Sequence, residues 1–171
     1  MKRNYKTAVF YGTSSGNTKK VASQIAAAFG VDTPVFDIEF AKASDLERYD
    51  FLIFGTPTWG LGDLQYDWEK FLTHFDLGML RLKVVALFGL GDQANYPESF
   101  LDGLGLLYGR IHDKTTIIGQ WPADEYAFRN SKALVNGKLV GLGLDEDNEV
   151  SQTAVRIEAW CNSLKNALLM Q

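Results

Sequence analysis

The segment that decides the fold is Phe10-Tyr11-Gly12-Thr13-Ser14-Ser15-Gly16-Asn17-Thr18. A short apolar run precedes it, and residues 17–29 are apolar at the spacing of a helix that lies on a sheet. The pattern therefore predicts a strand, a loop of small hydroxyl residues and a helix. Backbone N–H groups, hydroxyls and a helix N-terminus favour an anion at such a loop, and glycine lets the backbone approach a ligand closely. We interpret the loop as a phosphate-binding site; the alternative is an ordinary turn capped by Ser or Thr.

The absence of two motifs from the loop limits the kind of phosphate-containing ligand that it could bind. The Walker pattern G-x-x-x-x-G-K-[ST] does not fit, because Gly12 and Gly16 are too close together and Asn17 stands where the lysine is required. The dinucleotide pattern G-x-G-x-x-G is also missing from the loop. The loop therefore favours a single phosphate monoester, held by dipoles and hydroxyls, over a triphosphate with magnesium.

The order of apolar segments predicts the fold class. The 171 residues are typical of one domain, 1–171, and apolar runs alternate in them with helical patterns. We expect five strands, at residues 6–11, 34–39, 51–55, 84–89 and 115–119. This alternation is typical of an α/β fold with a single doubly wound parallel sheet and helices on both faces. The polar segment 121–149 is longer than a minimal fold of this kind needs.

Composition and charge exclude several classes of protein. The chain is 46% hydrophobic and 22% charged, which is typical of a globular protein, and its net charge of -4 argues against nucleic acid as a partner. It has no run of about 18 apolar residues that could span a membrane, and no signal-like apolar region precedes the first strand. The lone Cys161 cannot form an internal disulfide. A cytoplasmic protein is therefore expected.

Three loops of the predicted sheet look specialised. They lie at 13–18, 56–66 and 89–96, and because the carboxyl ends of parallel strands meet at one edge, all three should face the same ligand. Trp59 and Tyr96 lie in the second and third loops, where two aromatic rings can enclose a flat ring between them. The alternative is that both aromatics only anchor the surface. Together with the first loop, they indicate a planar ligand that carries a phosphate.

The same three loops resemble the cofactor loops of the flavodoxin family. The matching segments are Tyr-Gly-Thr-Ser-Ser-Gly-Asn-Thr at 11–18, Gly-Thr-Pro-Thr-Trp-Gly at 55–60 and Gly-Asp-Gln-x-x-Tyr at 91–96. Their order and spacing agree, so the resemblance covers essentially the whole chain. The segment 121–149 is similar to that of long-chain flavodoxins, in which an extra loop splits the fifth strand. The resemblance implies strand order 2-1-3-4-5, with the insertion at about 121–143.

The resemblance also implies one tightly held, non-covalent FMN. Trp59 and Tyr96 would cover the two faces of its ring system, while Asp92 and backbone groups near Gly60 would meet the ring edge. Asp147 would approach the ribityl chain or its loop. The residues expected at the phosphate are Thr13, Ser14, Ser15, Gly16, Asn17 and Thr18, and the other loop residues expected at the cofactor are Thr56, Pro57, Thr58, Gly89, Leu90, Gly91 and Gln93.

A flavodoxin-like chain is expected to be a low-potential, one-electron carrier and not an enzyme. Acidic residues would disfavour an anionic reduced flavin. They occur in 63–76, where only Lys70 opposes them, and in 145–149. The resemblance further implies that a peptide beside Gly60 turns over when the first electron enters. The implied partners are redox proteins such as ferredoxin/flavodoxin–NADP reductase, photosystem I, nitrogenase or an oxoacid oxidoreductase, docking on the acidic edge of a monomer.

Two other functions remain open at this point. One is an FMN-dependent NAD(P)H:quinone reductase of the same fold, which needs an open pocket over the ring. The other is a phosphate-binding or signalling module without flavin. The sequence has no constellation of nucleophile, base and acid and no metal-binding cluster, and we expect His74 and His112 to be solvated or to cap helices.

Overall fold

The computed structural model describes residues 3–171, in which strands and helices alternate along most of the chain. In chain order the elements are β1 (Thr7–Tyr11), α1 (Asn17–Phe29), β2 (Val35–Asp37), α2 (Ala43–Glu47), β3 (Phe51–Trp59), β4 (Asp63–Leu64), α3 (Tyr66–His74), a 3-10 helix (Leu77–Leu82), β5 (Val84–Leu90), α4 (Asp102–Ile111), β6 (Thr116–Ile118), β7 (Trp121–Pro122), β8 (Leu134–Val135), β9 (Lys138–Leu139), β10 (Leu142–Leu144) and α5 (Val150–Leu168).

The central sheet is parallel and has the order β2-β1-β3-β5. Two short strands share the free edge of β5: β6 pairs in parallel with Val84–Ala86, and β10 pairs in parallel with Phe88–Leu90. For the five predicted strands this is the order 2-1-3-4-5, with the fifth strand split in two. The predicted α/β fold is therefore confirmed. The sequence did not predict β4, a two-residue strand antiparallel to the end of β3.

Helices cover both faces of the sheet, which explains why its central strands are almost wholly apolar. Successive side chains of β1 point to opposite faces. Ala8 and Phe10 belong to the core that contains Trp68 of α3, while Val9 packs in the core of α1 and α5. The apolar stripe predicted for residues 17–29 buries Val21, Ala22, Ile25 and Ala26 of α1 against the sheet. This two-sided packing leaves the strand ends free to carry loops.

The segment that splits the fifth strand forms a small sheet of its own. Residues 119–141 leave the central sheet, and β7, β9 and β8 pair antiparallel in that order. Because Leu142 and Gly143 pair with Phe88 and Gly89, these two residues lie in the sheet and not in the insertion, which was expected to reach about 143. Asp147 consequently lies in the loop between β10 and α5. Hereafter "the insertion" means residues 119–141.

Within residues 3–171, none of the helices combines the length and apolar character that a membrane crossing requires. The longest helix, α5, has one face buried against the sheet and an exposed face that carries polar residues. Cys161 lies on the buried face, and burial raises the pKa of its thiol to about 11. A thiol of this kind is unreactive near neutral pH.

Candidate functional site

A cleft of about 650 Å³ opens at the carboxyl edge of the sheet. This is the edge at which α/β proteins bind ligands. All three predicted loops contribute to its walls, together with the loop between β10 and α5. Its lining residues are Ser14, Ser15, Asn17, Pro57, Thr58, Trp59, Gly60, Leu90, Gly91, Asp92, Tyr96, Ser99, Phe100, Glu146 and Asp147.

The first loop gives the cleft a polar end at the start of α1. Gly16, the residue before the helix, has a φ of 92°, and no side chain caps the first helical turn. The N–H groups of that turn therefore lack side-chain acceptors, which makes the helix start an anion site. Thr13 and Thr18 do not line the cleft: the Thr13 hydroxyl accepts a hydrogen bond from Gly16 N at 2.9 Å, and Thr18 is buried.

The second loop is a turn that presents Trp59. The Gly62 N–H donates to the Trp59 carbonyl at 3.1 Å, and Gly60 has a φ of 54°, in the region that favours glycine. Below the turn, the Thr58 hydroxyl accepts a hydrogen bond from Gly103 N of α4 at 3.1 Å. Trp59 is 54% exposed although it lines the cleft. Thr56 is buried and does not line it.

The third loop presents Tyr96, which is 47% exposed and also lines the cleft. The Tyr96 N–H donates to the Asp92 carbonyl at 2.9 Å. The Asp92 carboxylate accepts hydrogen bonds from Asn95 N at 2.9 Å and from Asn148 Nδ2 at 2.8 Å. Burial alone would raise the pKa of Asp92, but these hydrogen bonds outweigh it and hold the pKa below its ordinary value.

Gly89 and Gln93 were expected at the cofactor but lie behind the cleft wall. Gly89 is packed against Leu104 of α4, so a side chain would not fit there. Gln93 is only 7% exposed. Its amide donates to Asp145 Oδ2 at 2.9 Å and accepts from Ala127 N, in the insertion, at 2.6 Å. Gln93 thus connects the third loop to two other segments.

The loop after β10 brings two more carboxylates to the cleft, Glu146 and Asp147. It is held by the fully buried Asp145, which accepts hydrogen bonds from Gln93 and from the backbone and side chain of Asn148. Burial, and then the nearby charges of Asp92, Asp145 and Glu146, raise the pKa of Asp147. The part of the cleft wall that this loop forms is therefore negatively charged.

Sequence reasoning missed three residues of the cleft wall: Ser99, Phe100 and Glu146. The spacing of Phe100 from Leu104, Leu107 and Ile111 predicts that it belongs to a helix, but in the structure it lies just before α4 and is buried. Its inward-facing ring is stacked on Phe128 of the insertion at a centroid distance of 5.4 Å. Glu146 was noted only as one acid among several. Proximity to Asp147 was the single signal that could have identified it.

Two acidic side chains of the segments predicted to be acidic, Glu69 and Glu149, form ion pairs that the sequence did not predict. Glu69 of α3 lies 2.7 Å from Arg110 of α4, so the expectation that only Lys70 opposes the acids of 63–76 was wrong. Glu149 lies 2.7 Å from the buried Arg156. Among the residues that the structure describes, Asp63, Asp92 and Asp147 make no ion pair. These three carboxylates contribute unpaired negative charge to the cleft and its rim, in addition to Glu146 in the cleft wall and the buried Asp145 behind it.

Among residues 3–171, the side chains that line the cleft include no Lys, Arg or His. Lys19 and Lys20 are exposed, and Lys20 Nζ lies 3.9 Å from Glu146 Oε2. His74 and His112 are exposed, and the Nδ1 atom of each contacts a carbonyl of its own helix. Backbone N–H groups and hydroxyls are therefore what the polar end offers to an anion.

Comparison with known proteins agrees with this arrangement. The family model described as Flavodoxin matches residues 9–160. Flavodoxins from two Nostoc strains are 44% identical over 163 residues, covering 94% of this chain and 96% of theirs. Flavodoxin 1 of Escherichia coli is 40% identical over 165 residues, covering 95% of this chain and 94% of its own.

A solved structure shows the same arrangement of the backbone. The crystal structure of Fusobacterium nucleatum flavodoxin bound to flavin mononucleotide superposes with a TM-score of 0.87 at 29% identity, covering 96% of this chain and 99% of that one. Family match, relatives and fold agree over nearly the full length. The chain therefore belongs to the flavodoxin family.

Proposed function

We propose that this protein carries single electrons by means of one FMN held non-covalently in the cleft. The observation that carries the proposal is that one cleft joins an uncapped helix start to two half-exposed aromatic rings, Trp59 and Tyr96. A ligand that joins a phosphate to a planar ring system needs an anion site for the phosphate and aromatic surfaces for the rings. The cleft volume of about 650 Å³ is also within the usual range of cofactor sites. Membership of the flavodoxin family supports the same conclusion.

The polar end fits a phosphate monoester. Ser14, Ser15 and Asn17 line it directly, and we assign the phosphate to their polar groups and to the first-turn N–H groups of α1. Thr13, Gly16 and Thr18 would act by shaping the loop: Thr13 closes its turn, Gly16 takes the left-handed conformation and Thr18 buries its side chain. Dipoles can hold one phosphate without a lysine or arginine.

The aromatic end fits the ring system. We assign Trp59 and Tyr96 to its two faces and Asp92, Gly91 and Gly60 to its edge. The other lining residues of the proposed site are Pro57, Thr58, Leu90, Ser99, Phe100, Glu146 and Asp147, while Thr56, Gly89 and Gln93 would support the wall from behind. Bound FMN would supply the capacity to take up and release electrons one at a time, and the chain would orient it, limit water access and set its potential.

Unpaired carboxylates are expected to make the potential low. Asp92 and Asp147 line the cleft without cationic partners among residues 3–171. A carboxylate about 10 Å from a group that becomes an anion raises the free energy of that anion by about 1.7 kcal/mol at an effective dielectric constant of about 20. This corresponds to about 70 mV for a one-electron couple. A low potential for the second electron is therefore part of the proposal.

The rim of the cleft fits transient docking of redox proteins. Trp59, Leu61 and Tyr66 are exposed beside the unpaired Asp63, so an apolar patch adjoins negative charge. We propose that 1–171 acts as a single-domain monomer in the cytoplasm, and that its partners present basic surfaces. The partner classes named above fit this description. Electron transfer to such a partner should slow as salt screens the charges.

Titration of the purified chain with FMN, followed by stepwise dithionite reduction, tests the proposal. We expect one FMN per chain and a spectrum that passes through a third component between the oxidised and fully reduced forms. Steady oxidation of NAD(P)H by the purified protein would instead favour the quinone reductase. We do not expect this result, because the relatives named above are flavodoxins. Failure to bind FMN would overturn the proposal.

A further inference from the structure

Gln65 connects α3 to the first loop of the cleft without lining the cleft itself. It stands between β4 and α3, is 2% exposed, and is 52 residues away in sequence from the loop it contacts. Its Oε1 accepts hydrogen bonds from Asp67 N at 3.1 Å and from Trp68 N at 3.2 Å. These bonds cap the start of α3. They also orient the amide, because backbone N–H groups can only donate.

The other end of the amide reaches the first loop. Gln65 Nε2 donates to Asp67 Oδ2 at 2.6 Å and to the Thr13 carbonyl at 3.3 Å. A primary amide has two N–H donors and two acceptor sites. The Gln65 side chain uses all four, so each of its partners limits the position of the others.

Close packing at the base of the loop reinforces this connection. A Cβ atom at Gly12 would stand 2.6 Å from Trp68 Cδ1 and closer still to Gln65 Oε1. Trp68 Nε1 and Gly12 N both donate to the Gly55 carbonyl, at 2.8 and 3.0 Å. The start of α3, the end of β1 and the middle of β3 therefore meet at one junction, and Gln65 extends it to Thr13.

We propose that Gln65 is a positioning residue for the phosphate end of the cleft, an inference that rests on the proposed function. In a trans peptide the C=O and N–H bonds point in opposite directions. Holding the Thr13 carbonyl toward α3 therefore turns the Ser14 N–H away from α3. Ser14 lines the cleft, so Gln65 presets one N–H donor of the phosphate site. The hydrogen bonds of the Gln65 side chain are to Thr13, Asp67 and Trp68, and none of these residues belongs to the aromatic end.

A comparison of two ligands tests this role. Riboflavin shares the ring system of FMN but lacks the phosphate, so a variant that misplaces only the phosphate end should affect FMN alone. We expect Gln65→Met to weaken FMN binding about tenfold or more, the usual effect of losing a hydrogen bond to a charged group. Riboflavin binding should change less than about threefold, since the aromatic end is untouched. Dissociation constants come from quenching of flavin fluorescence.

Two further variants separate positioning from general stability. Gln65→Asn keeps an uncharged amide that can cap α3 but is one methylene too short to reach the Thr13 carbonyl, and it should show the same selective loss. Asp76→Ala removes a cap, the acceptor of a 2.9 Å hydrogen bond from Gly78 N, and should leave the dissociation constants for both ligands unchanged. The proposal is wrong if Gln65→Asn leaves FMN binding intact or weakens the binding of FMN and riboflavin equally. Failure of the unsubstituted chain to bind FMN would instead count against the proposed function.

Discussion

The first and third loops of the cleft are each supported from behind by one buried glutamine, but the two glutamines have different partners. Gln65 bonds to the backbone of the first loop and to its own helix. Gln93 belongs to the third loop and bonds to the buried Asp145 and to the insertion. The phosphate end is therefore supported by elements of the minimal fold. The aromatic end depends on a buried carboxylate and on a segment that a minimal fold of this kind does not need.

The insertion reinforces this difference, because the third loop is the cleft loop to which it is hydrogen-bonded, although it also contacts α4, α5, β5 and β10. The N–H groups of Arg129 and Asn130 both donate to the Pro97 carbonyl, at 2.8 and 3.0 Å. Phe128 stacks on Phe100, and Lys132 N donates to Asp102 of α4 at 2.7 Å. Substitutions at the aromatic end should therefore affect the stability of the chain more than substitutions at the phosphate end.

The largest expected effect is that of Asp145→Ala. Its carboxylate is fully buried and accepts all its hydrogen bonds from neutral donors of Gln93, Asp147 and Asn148. Removing it leaves several buried donors without acceptors, so the free energy of unfolding should fall by about 3 kcal/mol or more. Urea denaturation measures the change. Asp124→Ala, which removes an exposed carboxylate of the insertion, should change it by less than about 0.5 kcal/mol.

The second prediction concerns Gln93→Leu, the counterpart of the Gln65 variants. It leaves Ala127 N and one Asp145 oxygen short of a partner, so the free energy of unfolding should fall by about 2 kcal/mol. Because the third loop carries Tyr96, the binding of FMN and the binding of riboflavin should be weakened by the same factor. Gln152→Leu, at an exposed position of α5, serves as the control. A selective loss of FMN binding in Gln93→Leu would break the contrast between the two glutamines.

The third prediction concerns the turn at Gly60. A peptide that reverses beside Gly60 on reduction does so cheaply only because glycine tolerates a positive φ. Gly60→Ala adds about 1 kcal/mol of strain and should narrow the gap between the two one-electron potentials by about 40 mV, measured by spectroelectrochemistry. Gly109→Ala lies on α4, where a Cβ meets nothing within 4 Å, and should leave the potentials unchanged. An unchanged gap in Gly60→Ala would contradict the prediction.

The smallest expected effects are opposite in sign at Asp92 and Asp147. The raised pKa of Asp147 means that the folded state favours the protonated form of its carboxyl group. The contribution of this group to the stability is therefore present at low pH and is lost as the pH rises through that pKa. Asp147→Asn should therefore raise the free energy of unfolding at pH 7, by about 0.5 kcal/mol after solvent screening. The lowered pKa of Asp92 has the opposite consequence: its contribution is present at neutral pH and is lost as the pH falls through that pKa.

Denaturation of both variants at pH 7 and at pH 3 checks these signs. Asp92→Asn should lower the stability at pH 7, and both differences should shrink at pH 3, where the carboxylates begin to protonate. Two variants that shift the stability in the same direction at pH 7 would show that the hydrogen bonds from Asn95 and Asn148 do not set the charge of Asp92.

The elements with a local signal could be predicted. Residues 17–29 were assigned to a helix from their apolar spacing, and α1 has those bounds. Trp59 and Tyr96 were placed at one cleft because each follows a buried strand, and parallel strands end at the same edge. The strand β10 could not be found this way. Leu142-Gly143-Leu144 is three residues long, and it is a strand only because β5 offers it a free edge.

The sequence by itself determined the sheet, the helix periods and the loops that would meet at its carboxyl edge, since these depend on residues that are near one another along the chain. The tertiary structure alone decided which acids have a cationic partner, as with Glu69 and Arg110, and which polar residues hold the loops, as with Gln65 and Gln93. The hydrogen bonds of a buried amide and the contacts of an ion pair follow no repeating spacing of residues along the sequence. Their partners are chosen by packing between distant segments, so no local pattern reveals them.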